Sequence, residues 1–456
     1  MKQFDLVVIG AGPGGYVAAI RAAQLGMRVA VAERDKPGGV CVNWGCIPSK
    51  AILTSAGLYE DMRNAEAYGI RCQGLSADYG AVIRRSRKVA DRMSRGVTYL
   101  FKKNGIELFP ASATVLSPTT VRVGEEELSA KNILVASGTS VQGLPGIEPD
   151  GRVILTSDDA LEQETLPRSV IVLGGGAVGV EFAYVYRAFG ADVAIVEMED
   201  QLLPRTDRDV AKELEKALGK QGIRVMTSAP AIGFDKVTRT LTVSSGGKEE
   251  ALTAEKLLVA VGRKALSAGL GLEALGVEIE RGFVKVDDRF RTACSTIWAI
   301  GDVIGGMMLA HKASAEGVVA AEAIAGKDVR RPDPDRIPAC VYCRPEVATI
   351  GLSEEEAKRR GIVYKVSKFP FTALGKAVAS GHTEGFVKMI ADAKYGEVIG
   401  CHIIGAGAPD MIAELSLARS LEATFHEIGR TVHAHPTLPE AIREAALMLG
   451  GEAIDL

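Results

Sequence analysis

Aromatic side chains are scarce in this sequence, 5% of 456 residues, and cysteines scarcer still, seven in all. Seven thiols scattered over so long a chain are too few for a secreted disulfide scaffold. A close pair in a reducing compartment reads instead as metal-binding or catalytic. No apolar run is long enough to cross a bilayer as a helix. The opening MKQFDLVVIG carries an acid at Asp5 and runs straight into a strand pattern, unlike a signal or transit peptide, so the expected location is cytoplasmic. Net charge is −3, with acids and bases reading as interspersed, and neither nucleic acid nor an anionic membrane is an expected partner.

What the chain has in quantity is glycine, 51 residues, on an aliphatic background. That mixture suits an α/β enzyme with many tight strand-to-helix turns. The length exceeds what one hydrophobic core supports, so several domains are expected. The run FDLVVIGAGPGGYVAAIRAAQLGMRVAVAE reads as buried strand, glycine turn, helix, second strand and terminal acid, with Gly10, Gly12 and Gly15 followed by Glu33. SVIVLGGGAVGVEFAYVYRAFGADVAIVE repeats it with Gly174, Gly176, Gly179 and Glu197, and in each copy the acid lies 23 positions after the first glycine. The first glycine permits the turn, the second lets backbone approach a pyrophosphate, and the third lets helix rest on strand. A single copy could be an ordinary βα turn. Two copies in full βαβ context predict two bound dinucleotides.

Glu197, followed by Met198, Glu199 and Asp200, would accept from ribose hydroxyls and repel a 2′-phosphate, which favours NAD over NADP; the alternative is a solvated strand end. ILVASG at 133–138 and LLVAVG at 257–262 read as the closing strands of the two sheets, and TTVRV as part of a small antiparallel insert. After residue 336 a hairpin pattern and helices from about Pro409 and Pro439 suggest a separate α+β domain. The expected division is 1–145, 146–266, 267–335 returning to the first domain, and 336–456.

GGVCVNWGCIPSK, Gly38 to Lys50, places Cys41 and Cys46 five residues apart just before a helix. Zinc would need further thiolates or histidines at paired spacing, and Cys340 with Cys343 supplies only half a site, so no metal is expected. Two buried structural cysteines are the remaining bland reading. A thiol at a helix start near Lys50 has its thiolate favoured, which points to redox chemistry.

At these residues the chain resembles the flavin-dependent disulfide oxidoreductases, the class I pyridine nucleotide-disulfide oxidoreductase family. GGVCVNWGCIPSK is similar to their redox-disulfide signature, RTACSTIWAIGDV to their second FAD segment, MLAHKASAEG to the helix start after it, and HAHPTLPEA to their C-terminal base segment. The IPSK ending is closest to the dihydrolipoamide dehydrogenase branch. The resemblance implies two Rossmann-like FAD- and NAD(P)-binding domains with a C-terminal α+β dimerisation domain, FAD and NAD as cofactors, and a homodimer. It implies a Cys41–Cys46 redox disulfide served by His435 and Glu440 of the other subunit. Protein-bound dihydrolipoyl groups would be oxidised to lipoyl. They would arrive on the lipoyl domain of a separate acyltransferase or glycine-cleavage carrier protein.

Carried over position by position, FAD contacts fall on Gly10, Gly12, Gly14, Gly15, Glu33, Arg34, Gly39, Lys50, Ser137, Gly138, Thr139, Asp302 and Ala310. NAD contacts fall on Gly174, Gly176, Gly179, Glu181, Glu197 and Gly262. Read without the family, Thr437 and Glu440 form T-x-x-E, so Glu440 could simply close a capping box. An oriented imidazole is nevertheless what thiol–disulfide exchange needs as a base. His433 stands second to His435, and His311 reads as a helix-start residue. Trp44 is bulkier than the aliphatic residue usual at that place and is expected to bear on dithiol access. Two other classes remain: a related reductase of another disulfide or a quinone, and a nucleotide-binding protein without turnover.

Overall fold

The computed structural model describes residues 1–455. Strands β1 (Lys2–Ile9), β2 (Val29–Ala32) and β3 (Glu107–Phe109) lie parallel, and β1 also pairs in parallel with β6 (Glu126–Val135). β4 (Ala113–Ser117) and β5 (Thr120–Val123) extend this sheet antiparallel beyond β6. Its inner strands are buried on both faces, which is why VVI and VAVA read as continuous apolar runs rather than alternating ones.

A second parallel sheet runs in the order β10 (Arg224–Met226), β9 (Asp192–Val196), β8 (Ser169–Leu173), β11 (Lys256–Val259) and β7 (Ile154–Leu155). The chain then returns: β12 (Ile297–Ala299) pairs with β6 of the first sheet. Between the two sheets the short strands Thr139–Val141 and Arg263–Ala265 pair with each other. The C-terminal part is an antiparallel sheet of β13 (Ala339–Val341), β14 (Val347–Gly351), β17 (Val398–Ile404), β16 (Phe386–Asp392) and β15 (Tyr364–Pro370), in that spatial order. Strands β16 and β17 are the expected hairpin.

Helix α1 (Pro13–Gln24) follows the first glycine turn; short α2 (Gly39–Asn43), α3 (Cys46–Arg63) and α4 (Tyr79–Lys103) come next. Helices α5 (Ala177–Ala188) and α6 (Arg208–Lys220) belong to the second sheet, α7 (Ala310–Ile324) packs on α1, and α8 (Ala408–Ser420) and α9 (Glu440–Gly450) cover the C-terminal sheet. A buried ion cluster holds that last sheet to the second domain. Lys388 on β16 is 2% exposed and lies 2.8 Å from Asp207, the N-cap of α6, and 2.6 Å from Glu354. Removing Lys388 would strand the buried Asp207 carboxylate at a cost of about 3–5 kcal/mol.

Candidate functional site

The two glycine turns are superimposable in their constraints. Gly10 has φ +103° and Gly174 φ +112°, and a Cβ at either would sit 2.4 Å from a carbonyl oxygen of the closing strand, that of Ala136 or Ala260. Left-handed backbone and this close approach both demand glycine. Gly15 and Gly179 press on Gly10 and Gly174, each hypothetical Cβ falling 1.9 Å from a carbonyl oxygen, whereas Gly12 and Gly176 face open space. That space, at a helix N-terminus, fits a pyrophosphate.

Both acids are already oriented. Glu33 accepts from the Ala11 and Asp35 amides at 2.8 and 2.9 Å, and Glu197 from those of Gly175 and Glu199 at 2.6 and 2.8 Å. Each carboxylate keeps lone pairs free for ribose hydroxyls. Arg34 stands exposed beside Glu33.

Ser137 donates to the Leu266 carbonyl, Gly138 adopts φ +70°, and Thr139 donates to Asp302 at 3.1 Å while receiving Arg263 at 2.7 Å. Gly262, at φ +127°, starts the return strand. Burial raises the Asp302 carboxyl, against the Thr139 bond and Arg263. Ala310 is the first residue of α7, and His311 is exposed and bonded to the Pro338 carbonyl. The residues present therefore fit FAD across the first motif and NAD across the second.

The redox loop lies directly on the first motif. A Cβ on Gly39 would come 2.6 Å from Gly12 Cα, so residue 39 must be glycine for α2 to cross here. The cysteine pair does not simply precede a helix: Cys41 lies inside α2, and Cys46 is the first residue of α3. Short α2 and the first turn of α3 turn the five-residue spacing into a side-by-side pair of thiols. The proton between them is unevenly held. Hydrogen bonding to Cys46, with burial, raises Cys41, while hydrogen bonding to Cys41, with Lys50 nearby, lowers Cys46 to about 7.

Lys50, one turn further along α3, draws together three distant parts of the chain. Its Nζ lies 3.0 Å from both carboxylate oxygens of Glu181 on α5 and 4.4 Å from the face of the Tyr342 ring, and the Tyr342 amide donates to the same Glu181 at 3.0 Å. Tyr342 escaped the sequence reading because nothing local marks it. Cys340 is half-buried and raised by burial to about 11, and Cys343 is fully buried with its thiol toward the Pro345 carbonyl. Among the described residues no His, Cys, Asp and Glu cluster could hold a metal.

His435 and Glu440 lie together at the start of α9, Nδ1 to Oε1 2.9 Å. Glu440 divides its two oxygens: Oε1 meets His435, and Oε2 accepts the Thr437 amide at 2.8 Å, the returning half of a capping box. The other half is missing: the Thr437 hydroxyl accepts no amide of the helix start, and its own proton goes to the Ala434 carbonyl. Burial raises the Glu440 carboxyl, but those two hydrogen bonds outweigh it and leave it below the usual range. The His435 side chain is 79% exposed, and among the described residues Glu440 is its only hydrogen-bond partner, so it makes no bond to Cys41 or Cys46 within one chain. His433 turns inward to Glu414 at 2.9 Å, 7% exposed, which removes it as a competitor.

Trp44 points away from the pair. Its indole donates to Asp35 at 2.6 Å, and the Arg87 guanidinium of α4 sits 4.6 Å from its ring while donating to the Asn43 carbonyl at 2.7 Å.

A family model described as pyridine nucleotide-disulphide oxidoreductase matches residues 4–317, and its dimerisation domain matches 337–446. The chain is 43% identical over 470 residues to dihydrolipoyl dehydrogenase of Bacillus subtilis, covering 99% of each, and 46% identical over 453 residues to that of Chlorobaculum tepidum, covering 97% and 96%. Its fold is similar to that of LpdA from Mycobacterium tuberculosis, with TM-score 0.90 at 28% identity over 98% of this chain and all of the other. The flavoprotein disulfide reductase RclA from Escherichia coli is similar at TM-score 0.87 and 26% identity, again over 98% of this chain and all of the other. With paired dinucleotide turns, a vicinal cysteine pair on the first of them and full-length similarity of this kind, the chain belongs to the pyridine nucleotide-disulphide oxidoreductases.

Proposed function

We propose that this chain is a dihydrolipoyl dehydrogenase, oxidising protein-bound dihydrolipoyl groups to lipoyl with NAD as final acceptor. The observation that carries the reading is the Cys41–Cys46 pair laid across the first glycine turn, with Lys50 of the same helix joined to Glu181 of the second motif. In the oxidised pair, a substrate thiolate attacks Cys41 Sγ, a new S–S bond forms, and Cys46 leaves with the electron pair. The unequal acidity of the two thiols supports that direction, because the sulfur of lower pKa is the better leaving group. The second substrate thiol gives its proton to His435 of the partner subunit and attacks its neighbouring sulfur, releasing lipoyl and Cys41. Glu440 fixes the imidazole so that Nε2 faces the thiol. Bound FAD and NAD supply the two-electron chemistry that returns Cys41 and Cys46 to the disulfide.

Lys50 and Glu181 are assigned to hold charge beside those cofactors. The proposed division is 1–145 and 267–335 for FAD, 146–266 for NAD and 336–456 for dimerisation; the return of β12 to the first sheet supports it. The match of residues 337–446 to a dimerisation domain supports a homodimer, and a cytosolic place belongs to the same reading; no helix of the described residues is long and apolar enough to cross a membrane. The test is anaerobic addition of dihydrolipoamide to the purified flavoprotein. A long-wavelength thiolate-to-flavin band that disappears when NAD is added is expected. A flavin that stays oxidised would sink the substrate assignment and turn the search to other disulfides.

A further inference from the structure

Acids and bases are not interspersed everywhere. Helix α4 carries eight lysines and arginines and a single acid, Asp91, in 25 residues, within a chain of net charge −3. At 100° per residue its buried positions, from Tyr79 through Ile83, Ala90 and Val97 to Phe101, form one stripe. Lys88, Arg92, Arg95, Lys102 and Lys103 fall within about 100° of arc on the opposite side. All five are exposed, and among the described residues none of them forms an ion pair, whereas Arg84 is paired with Glu164 and Asp91 with Lys36. Tyr99, 64% exposed, stands in the middle of this arc.

The position of the helix gives the charge a meaning. Arg85 donates to the Ala51 carbonyl of α3 at 2.9 Å, and Arg87 to Asn43 at 2.7 Å beside Trp44. The first turns of α4 thus flank the segment that carries Cys41 and Cys46, and the basic face runs on from Lys88 to Lys103 for about 23 Å of helix.

We propose that the exposed basic face of α4 is the docking surface for an acidic protein domain that carries the dithiol to Cys41. The inference rests on the dihydrolipoyl reading of the site. Five unpaired cations on one face of an otherwise slightly acidic protein steer an oppositely charged partner and raise its encounter rate. A protein partner is favoured over other polyanions because the dithiol of the proposed reaction is protein-bound and because an exposed tyrosine amid the cations is typical of protein interfaces.

The test compares two substrates of the intact dimer: free dihydrolipoamide, which is uncharged, and a purified lipoyl domain of net negative charge, reduced at its lipoyl group. For the native enzyme, kcat/KM with the domain should fall about tenfold between low and high salt, while that with free dihydrolipoamide should hold within about twofold. The combined variant Lys88→Glu, Arg92→Glu, Arg95→Glu should lose about tenfold or more with the domain at low salt, with a flattened salt dependence and unchanged free-substrate turnover. The Gln counterparts of the same three residues should show a smaller loss in the same direction and guard against misfolding by charge reversal. Equal rates of native and variant enzyme with the domain would overturn the proposal. So would a parallel loss with both substrates, dissociation of the dimer, or loss only of binding to an oligonucleotide or to phosphatidylglycerol vesicles. Failure of the native enzyme on free dihydrolipoamide would be a different result: it would remove the function reading, and the docking surface with it.

Discussion

The two glycine turns share their geometry at Gly10 and Gly174, at Gly12 and Gly176, and at Gly15 and Gly179, yet one position separates them. At Gly14 a Cβ would lie 3.1 Å from both the Ala313 carbonyl and Ile300 Cδ1, because α7 is pressed onto α1. Gly317 of α7 answers it, its own hypothetical Cβ lying 2.5 Å from the Gly14 carbonyl. The equivalent position in the second motif is Val178, 40% exposed. The first site is thus walled by a helix that arrives some 300 residues later in the chain, and the second is open. A cofactor that stays through every cycle suits the first, and one exchanged at every turnover suits the second.

The sharpest way to break this difference is Gly14→Val. Forcing a branched side chain into the α1–α7 contact should cost about 3 kcal/mol or more and strip flavin from the purified protein. Val178→Gly at the matching place should cost only about 0.5 kcal/mol, the helix-propensity difference, and leave flavin content intact. Flavin per chain and thermal midpoint read both, and equal losses would erase the contrast.

Next come the groups proposed to react, Cys41 beside the first site and His435 near the start of α9. Cys41→Ser should retain flavin but lose lipoamide turnover to background. His435→Gln should lower dithiol-dependent kcat about 10²–10⁴-fold with an unaltered visible spectrum. Steady-state assays beside the oxidised spectrum check these two, and near-normal turnover in either variant would remove its assigned role.

A smaller effect separates the two carboxylates. Glu197→Ala should lower kcat/KM for NAD about 10- to 100-fold, the loss of a charged hydrogen bond of roughly 1.5–3 kcal/mol, and narrow the preference over NADP. Glu33→Ala should change flavin retention and leave the NAD parameters alone. Exchange of these phenotypes would reverse the cofactor assignment.

The smallest expected change is in acidity. Cys46 is lowered from the ordinary thiol value to about 7, so in the reduced protein its thiolate is present above that pH and lost as pH falls through it. Ionisation of Cys46 therefore favours the folded state fully above the ordinary thiol range and ceases to do so below about 7. Iodoacetamide should modify one cysteine with a midpoint near pH 7, and Lys50→Met should move that midpoint upward, because Lys50 is among the groups that lower it. A midpoint unmoved by Lys50→Met would show that the hydrogen bond from Cys41 acts alone.

Much of this was legible along the chain. Both βαβ units, the closing strands, the C-terminal hairpin and the last two helices follow from glycine spacing and apolar runs, signals that act within some thirty residues. Cys41 and Cys46 were identifiable as a pair, but not that α2 encloses one and α3 begins with the other. Trp44, whose bulk suggested obstruction, is turned aside by Asp35 and Arg87, of which the second lies 43 residues away. His433, placed second to His435 along the chain, is turned to Glu414, while His435 meets Glu440.

The sequence alone determined the two dinucleotide turns and their acids, since a tight turn, a phosphate approach and a helix contact each tolerate only glycine at a set spacing. It also determined the chemistry available, by placing two thiols and a lysine in one short segment. Tertiary structure decided the rest. Which turn is walled in, which face of Lys50 meets Glu181 and Tyr342, and that the cations of α4 border the redox loop all depend on helices and strands brought together from more than a hundred residues apart or turned to one side by burial. No local pattern encodes such contacts, because they are chosen by the packing of whole domains against one another.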